Sequence, residues 1–254
     1  MESRIVTSLR QAGCVYAEEE ARLLLSAAQN PTDLASMVER RAAGMPIEHI
    51  IGWAEFCGLR IAVEPGVFIP RKRSEFLARL AIALGQSASV AVDLGCGSGA
   101  LGAVLAAALE RIELHAVDID PAAVRCAKEN VTGLGGLVYD GDLFDPLPKF
   151  LRGRVGILIA NVPYVPTDSI RLLPHEARSY EALVALDGGE DGVDIQRRVA
   201  EEAPSWLTAG GHLLVETSER QVPLTVDLFA RNGLSTKVAH AKELDATVVI
   251  GTKT

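Results

Sequence analysis

From Ser89 onward, stretches rich in β-branched residues alternate with stretches of helical period, and little else. "SVAVDLG" reads as a buried strand and residues 98–110 as a helix. "IELHAVD" is a strand, residues 121–131 a helix, and "GLVYDGD" and "VGILIAN" are two further strands. Helix "GVDIQRRVAEEAPSWL" leads to strand "GGHLLVET". Helix "ERQVPLTVDLFARNG" leads to "STKVAH" and "ATVVIGT", which close the chain. Parallel neighbours need a crossover, and a helix is the usual one. The alternation therefore predicts an α/β fold: a doubly wound, mostly parallel sheet with helices on both faces. In such a sheet ligands bind at the carboxyl ends of the strands, where the strand order reverses.

The region before Ser89 has a different grain. "SRIVTSLRQAG", "AEEEARLLLSAAQ" and "TDLASMVERRAAG" each carry apolar residues at helical spacing. The run Glu18-Glu19-Glu20 suits the positive end of the second helix. "AEFCGLRIAV", a turn at Glu64-Pro65-Gly66 and "VFIP" read as short strands. "EFLARLAIALG" then returns to helical period. This predicts a helical domain over residues 1–50, a β-hairpin and linker helix over 51–85, and the large α/β domain over 86–254.

Charge and cysteine usage narrow the partners. The net charge is −8, from 25 basic and 33 acidic residues. Neutralising phosphates needs a basic surface, so stable nucleic-acid binding is not expected. Cys14, Cys57, Cys96 and Cys126 are scattered, and the five histidines have no ligand spacing. Neither a metal site nor a disulfide framework is expected, and reduced thiols fit a cytoplasmic protein. No signal peptide and no apolar run of membrane-spanning length is visible.

The turn "VDLGCGSGALG" joins the first strand of the α/β region to its helix. Gly95, Gly97 and Gly99 allow a tight bend and a close backbone approach to a ligand. Gly97 to Gly102 matches the dinucleotide pattern G-x-G-x-x-G, a weak signal alone. Asp93 argues against a pyrophosphate at this loop. A carboxylate at its mouth suits a donor with an ammonium and a sulfonium, which describes S-adenosylmethionine. Asp118 ends the next strand, where a carboxylate accepts ribose hydroxyls in either cofactor. Asp142 ends the third, placed for an adenine amino group, with Leu143 to cover the ring. Asp120, just before Pro121, reads as a helix cap.

The fourth strand ends in "IANVPY". Asn and Pro are common in turns, and that is one reading of them. The other is an acceptor site. The Asn161 side-chain oxygen and the Val162 main-chain carbonyl can accept the two N–H groups of a planar NH2. They would orient its nitrogen and stabilise the positive charge that builds as a methyl arrives. Pro163 holds Val162 extended, and Tyr164 offers a flat face or a hydroxyl.

With "VAVDLGCGSGALG", "AVDIDPAAVRCAKEN", "GDLFDPLP" and "IANVPY" in hand, the chain resembles class I S-adenosylmethionine-dependent methyltransferases. More narrowly, it resembles the glutamine methyltransferases that modify peptide-chain release factors. "RRAAGMPIEHIIGWAEFCGLRIAVEPGVFIPR", "EALVALDGGEDGVDIQRRV" and "LTAGGHLLVETSERQ" extend the resemblance over most of the chain. It implies a seven-stranded sheet of Rossmann-like kind with the last strand pair antiparallel. It also implies a small N-terminal helical domain that helps hold a protein substrate; separately, a monomer is the expected state. Cofactor contacts are implied from Asp93, Gly95, Cys96, Gly97, Gly99, Asp118, Ile119, Asp142, Leu143 and Asn161. Catalysis is implied at Asn161, Val162, Pro163 and Tyr164. Two segments depart from the family. Its Asn-Pro-Pro-Tyr is Asn-Val-Pro-Tyr here, and its "IPRPETE" is "IPRKRSE", which brings Lys72 and Arg73 near the cleft.

Other residues rank lower. Glu216, at the end of "LLVE", reads equally as a substrate contact or a buried hydrogen-bonding partner. "RKR" at residues 71–73 reads first as a solvated loop and second as a substrate-facing patch. Competing functions are methylation of an exocyclic amine on a nucleobase or small molecule, a non-catalytic S-adenosylmethionine-binding module, and a nicotinamide dehydrogenase.

Overall fold

The computed structural model describes residues 2–254. α1 (Glu2–Gln11), α2 (Ala17–Ala27), α3 (Pro31–Ala42) and the short α4 (Ile47–Ile51) pack around Leu9, Ala21, Leu24, Leu34, Met37 and Ile50. α3 starts where the Asn30 side chain accepts the Asp33 N–H and Pro31 fills the first turn. Only part of the acidic run faces water. Glu20 is buried and pairs with Arg41 of α3 at 2.7 Å.

β1 (Trp53–Phe56) and β2 (Leu59–Ala62) form an antiparallel hairpin. Its turn is Cys57-Gly58, at φ 50° and 77°, the left-handed pair that matches strand twist. The expected turn at residues 64–66 forms, with the Val67 N–H donating to the Glu64 carbonyl at 3.1 Å, but it does not close a hairpin. β1 is already paired through to Ala62, so residues 67–70 have no hairpin partner. They run extended, next to an isolated bridge between Gly66 and Glu181.

The main sheet holds β3 (Val90–Leu94), β4 (Glu113–Asp118), β5 (Leu137–Asp140), β6 (Val155–Ala160), β7 (Leu207–Thr217), β8 (Leu234–Ala241) and β9 (Ala246–Lys253). Their order is β5-β4-β3-β6-β7-β9-β8. β9 alone is reversed, antiparallel to β7 and to β8. The order turns back between β3 and β6, which makes their carboxyl ends the switch point.

α5 (Glu75–Leu84), α6 (Ala100–Ala108) and α7 (Pro121–Val131) cover one face of the sheet, and α9 (Asp194–Trp206) and α10 (Val222–Arg231) the other. Strand parity sets the two cores. Val90, Val92 and Leu94 of β3 pack with Val199, Trp206 and Phe229, while Ala91 packs with Leu77, Ala103 and Val104. Residues 161–193, between β6 and α9, form an irregular strap that carries α8 (His175–Tyr180). Among the described residues no helix is long and apolar enough to cross a membrane.

Candidate active site

At the carboxyl ends of β3 to β6 lies a cavity of about 550 Å³. The sheet side of its wall is Gly95, Cys96, Gly97, Asp118, Ile119, Asp142 and Leu143, then Asn161, Val162, Pro163 and Tyr164. The opposite wall comes from the linker, including Phe68, Arg71, Arg73 and Ser74, and from the strap, including Leu173, Glu181 and Val184. Chain segments far apart in sequence therefore enclose one space.

The β3 turn follows from its glycines. Gly97 sits at φ 55°, and a Cβ there would meet nothing within 4 Å, so its bare backbone faces the cavity. Asp118 holds the turn in place. Its Oδ2 accepts the Gly97 N–H at 2.8 Å and its Oδ1 the Asp120 N–H at 2.9 Å. A carboxylate has about four acceptor sites, so each oxygen keeps capacity for a ligand hydroxyl. Burial pushes the Asp118 carboxyl upward, against the pull of these N–H groups. Asp120 caps α7 through the Ala122 N–H at 2.8 Å, as the sequence suggests.

Two expected contacts are corrected. Asp93 does not front the cavity: it is fully buried and absent from the wall. The parity of β3 turns it, like Ala91, towards α6. Its Oδ2 accepts the Gly102 N–H at 2.9 Å in the first turn of that helix. Its Oδ1 has no partner, and burial pushes the carboxyl up to about 7. Gly99 is also outside the wall. A Cβ there would lie 2.8 Å from Val131 Cγ2 and 3.1 Å from Ala127 Cα, so this glycine serves the packing of α6 on α7.

At the β6 end, the Asn161 Nδ2 donates to Ser74 Oγ at 3.4 Å. Among the described residues, Asn161 Oδ1 and the Val162 carbonyl oxygen have no hydrogen-bond donor. The Val162 side chain packs into the core, 2 % exposed, so valine replaces proline without opening the wall. Tyr164 OH donates to Glu216 Oε1 at 3.0 Å and accepts from Arg73 Nη2 at 2.9 Å. Burial, then the Glu216 charge, push the phenol up to about 12, so it stays neutral near pH 7.

Several wall residues have little or no local sequence signal. Arg73 is not a solvated loop residue: its Nε lies 3.0 Å from Glu216 Oε1, and it lines the cavity. Arg71 pairs with the buried Glu181 of the strap through both carboxylate oxygens, at 2.5 and 2.6 Å. Ser74 is buried beside Asn161. Arg73 lies at the cavity, as the resemblance through "IPRKRSE" implies, whereas Lys72 is not part of its wall, and Glu181 has no local sequence signal. Asp142 lines the cavity, but its Oδ2 is paired with Arg198 at 2.7 Å, which leaves Oδ1 for a ligand.

The sequence profile of the Methyltransferase small domain family matches residues 58–170. The release factor glutamine methyltransferase of Geobacter sulfurreducens is 37% identical over 209 residues, 80% of this chain and 72% of that protein. The chain belongs to the release factor glutamine methyltransferase family. This methyltransferase also resembles the 4-amino-L-phenylalanine/4-methylamino-L-phenylalanine methyltransferase of Streptomyces pristinaespiralis, 33% identical over 77% of this chain and 69% of the relative. In fold it matches a crystallised methyltransferase from Pyrococcus furiosus, with a TM-score of 0.59 at 16% identity, over 87% of this chain and 98% of that one. As a family member it is an S-adenosylmethionine-dependent methyltransferase. The cavity residues fit that cofactor: a side-chain-free turn at Gly97, the Asp118 carboxylate with lone pairs to spare, and apolar Ile119 and Leu143 beside Asp142. The nicotinamide alternative falls with the family assignment, although Asp93 is not the residue that decides it.

Proposed function

We propose that the chain transfers a methyl group from S-adenosylmethionine to the side-chain amide nitrogen of a glutamine in a protein, with a peptide-chain release factor as the first candidate. One observation carries this reading. Asn161, at the switch point, turns its nitrogen to Ser74 and leaves its oxygen free beside the equally free Val162 carbonyl.

S-adenosylmethionine, when bound, supplies an electrophilic methyl on a sulfonium. Asp118 would take the ribose hydroxyls, Asp142 Oδ1 the adenine amino group, and Ile119 and Leu143 would flank the ring. Gly95, Cys96 and Gly97 would offer backbone to the rest. Burial lifts the Cys96 thiol well above its usual range, so it is no nucleophile. An amide nitrogen has a delocalised lone pair and is a weak nucleophile. Asn161 Oδ1 and the Val162 carbonyl would accept its two N–H groups and aim the nitrogen. The same oxygens stabilise the positive charge that grows on it. No strong base is needed, because the methylated nitrogen is acidic. Pro163 and the Tyr164 ring complete the wall around the planar group.

In this reading residues 1–50 help grip the substrate protein, 51–85 join them to the catalytic domain 86–254, and the enzyme works in the cytoplasm. The test is mass spectrometry of the host release factors after incubation with the purified chain and S-adenosylmethionine. One methyl on glutamine is expected, absent with Asn161→Ala. A methyl on another residue type, or full turnover by Asn161→Ala, overturns the assignment. The relative named for 4-amino-L-phenylalanine favours one second reading, an aromatic amine as acceptor.

A further inference from the structure

Arg73 has five N–H groups, and the protein uses few of them. Nε faces Glu216 Oε1 at 3.0 Å and Tyr164 OH at 3.2 Å, and Nη2 faces Tyr164 OH at 2.9 Å. Among the described residues Nη1 has no partner. The side chain is 39% exposed and lines the cavity with its neighbour Ser74, which touches Asn161. Glu216 is 3% exposed and stands next to Asn161 across the sheet, because Ala160 of β6 is in register with Val215 of β7.

A lone cation here would oppose methyl transfer, since positive charge grows on the acceptor nitrogen. Glu216 cancels that charge at 3.0 Å. What remains of Arg73, which lines the cavity, is the pair of N–H donors on the unpartnered Nη1, on a guanidinium braced through Tyr164. Donors suit an acceptor group that carries a lone pair next to its NH2. A primary carboxamide has one in its carbonyl oxygen. An aniline has only C–H groups flanking its amine carbon.

We infer that Arg73 is a specificity-determining residue that donates from Nη1 to the carbonyl oxygen of a primary carboxamide, while Glu216 neutralises it. The inference rests on the glutamine reading above and extends it. Hydrogen bonds fan out on both sides of the acceptor: Asn161 and Val162 accept from its NH2, and Arg73 donates to its oxygen. Tyr164 then lies between them as a wall whose hydroxyl is already spoken for.

The test uses two peptides that copy a glutamine-bearing loop of the host release factor. One keeps the glutamine, and the other has 4-aminophenylalanine in its place. Calorimetry with S-adenosylhomocysteine present gives both affinities, and methyl transfer gives both kcat/KM values. Binding of S-adenosylhomocysteine alone is the folding control. Wild type should prefer the glutamine peptide. Arg73→Ala should cut the glutamine-to-aniline ratio about tenfold or more in both measurements, as expected for one charge-assisted hydrogen bond. Arg73→Lys, which keeps the charge and one donor, should recover part of the ratio. An unchanged ratio in Arg73→Ala, with glutamine methylated by wild type, overturns the Arg73 assignment alone. A wild type that methylates only the aniline peptide, or neither, overturns the glutamine reading and this one with it.

Discussion

Asn161 gives its side-chain nitrogen to the hydroxyl of Ser74, at 3.4 Å, which leaves the other end of the amide, Oδ1, as a free acceptor. The two residues lie 87 positions apart, one at a strand end and one at the start of α5. Asn161→Ala should lower kcat by about 10²- to 10³-fold and leave S-adenosylmethionine affinity within a factor of two or so. Ser74→Ala leaves the amide present but free to rotate, and should lower kcat by only about 3- to 10-fold. Steady-state kinetics and calorimetry on both variants check the pair. Equal losses would mean that Ser74 does more than orient.

Asp118 binds the turn and has lone pairs left over. Asp118→Ala should weaken S-adenosylmethionine binding by about 10-fold or more, measured by calorimetry, with a smaller effect on Tm. An unchanged affinity would remove Asp118 from the cofactor site.

Gly97 and Gly99 should separate binding from stability. Both need positive φ, so each alanine costs about 1 kcal/mol in strain. At Gly99 the new Cβ would also strike Val131 and Ala127, so Gly99→Ala should lower Tm by many degrees. At Gly97 it would enter the cavity freely, so Gly97→Ala should keep most of the Tm and lose cofactor affinity. Thermal unfolding beside calorimetry reads the contrast.

Asp93 predicts a pH effect with a definite sign. Its folded pKa, about 7, lies above the unfolded value near 4, because burial and then the nearby Asp118 charge disfavour the anion. The stability it contributes is complete below about pH 4 and is lost as pH rises through 7. Asp93→Asn keeps the acceptor for Gly102 and removes the titration. The variant should therefore gain stability relative to wild type as pH rises from 4.5 to 8, on the order of 4 kcal/mol at the upper end, read as a growing difference in Tm. A flat difference across that range would contradict the assignment.

Arg71 and Glu181 hold the strap against the linker. The Glu181 side chain is fully buried, and burial raises its pKa although Arg71 and the Ile69 N–H pull it down. Arg71→Met strands that carboxylate, at a cost of about 3 kcal/mol or less if the strap moves to rehydrate it. Limited proteolysis should then cut faster within residues 166–186. Unchanged cleavage there would show that the strap is held elsewhere.

Much of this was legible in the chain. Asp120-Pro121 marks the start of α7, and "VGILIAN" marks β6 with Asn161 at the cavity wall at its tip, because local chemistry determines each. Glu64-Pro65-Gly66 does turn, but the hairpin closes at Cys57-Gly58, a plainer turn sequence, because pairing between β1 and β2 decides it. Asp93 was placed at the strand end correctly but aimed wrongly, since its direction depends on β3 parity relative to two helical layers. The pairs Arg73–Glu216 and Arg71–Glu181 span 143 and 110 residues, and no local pattern announces a contact of that range.

The reversed strand has a bearing on how the molecule comes to be built. β8 touches the sheet only through β9, which slots between it and β7. On the ribosome, β7 must wait with an open hydrogen-bonding edge while β8 and β9 emerge as a hairpin. Until that hairpin docks, the half-made protein displays a sticky border, and the interval after β7 has left the ribosome and before β9 has done so is its most vulnerable moment for misassembly.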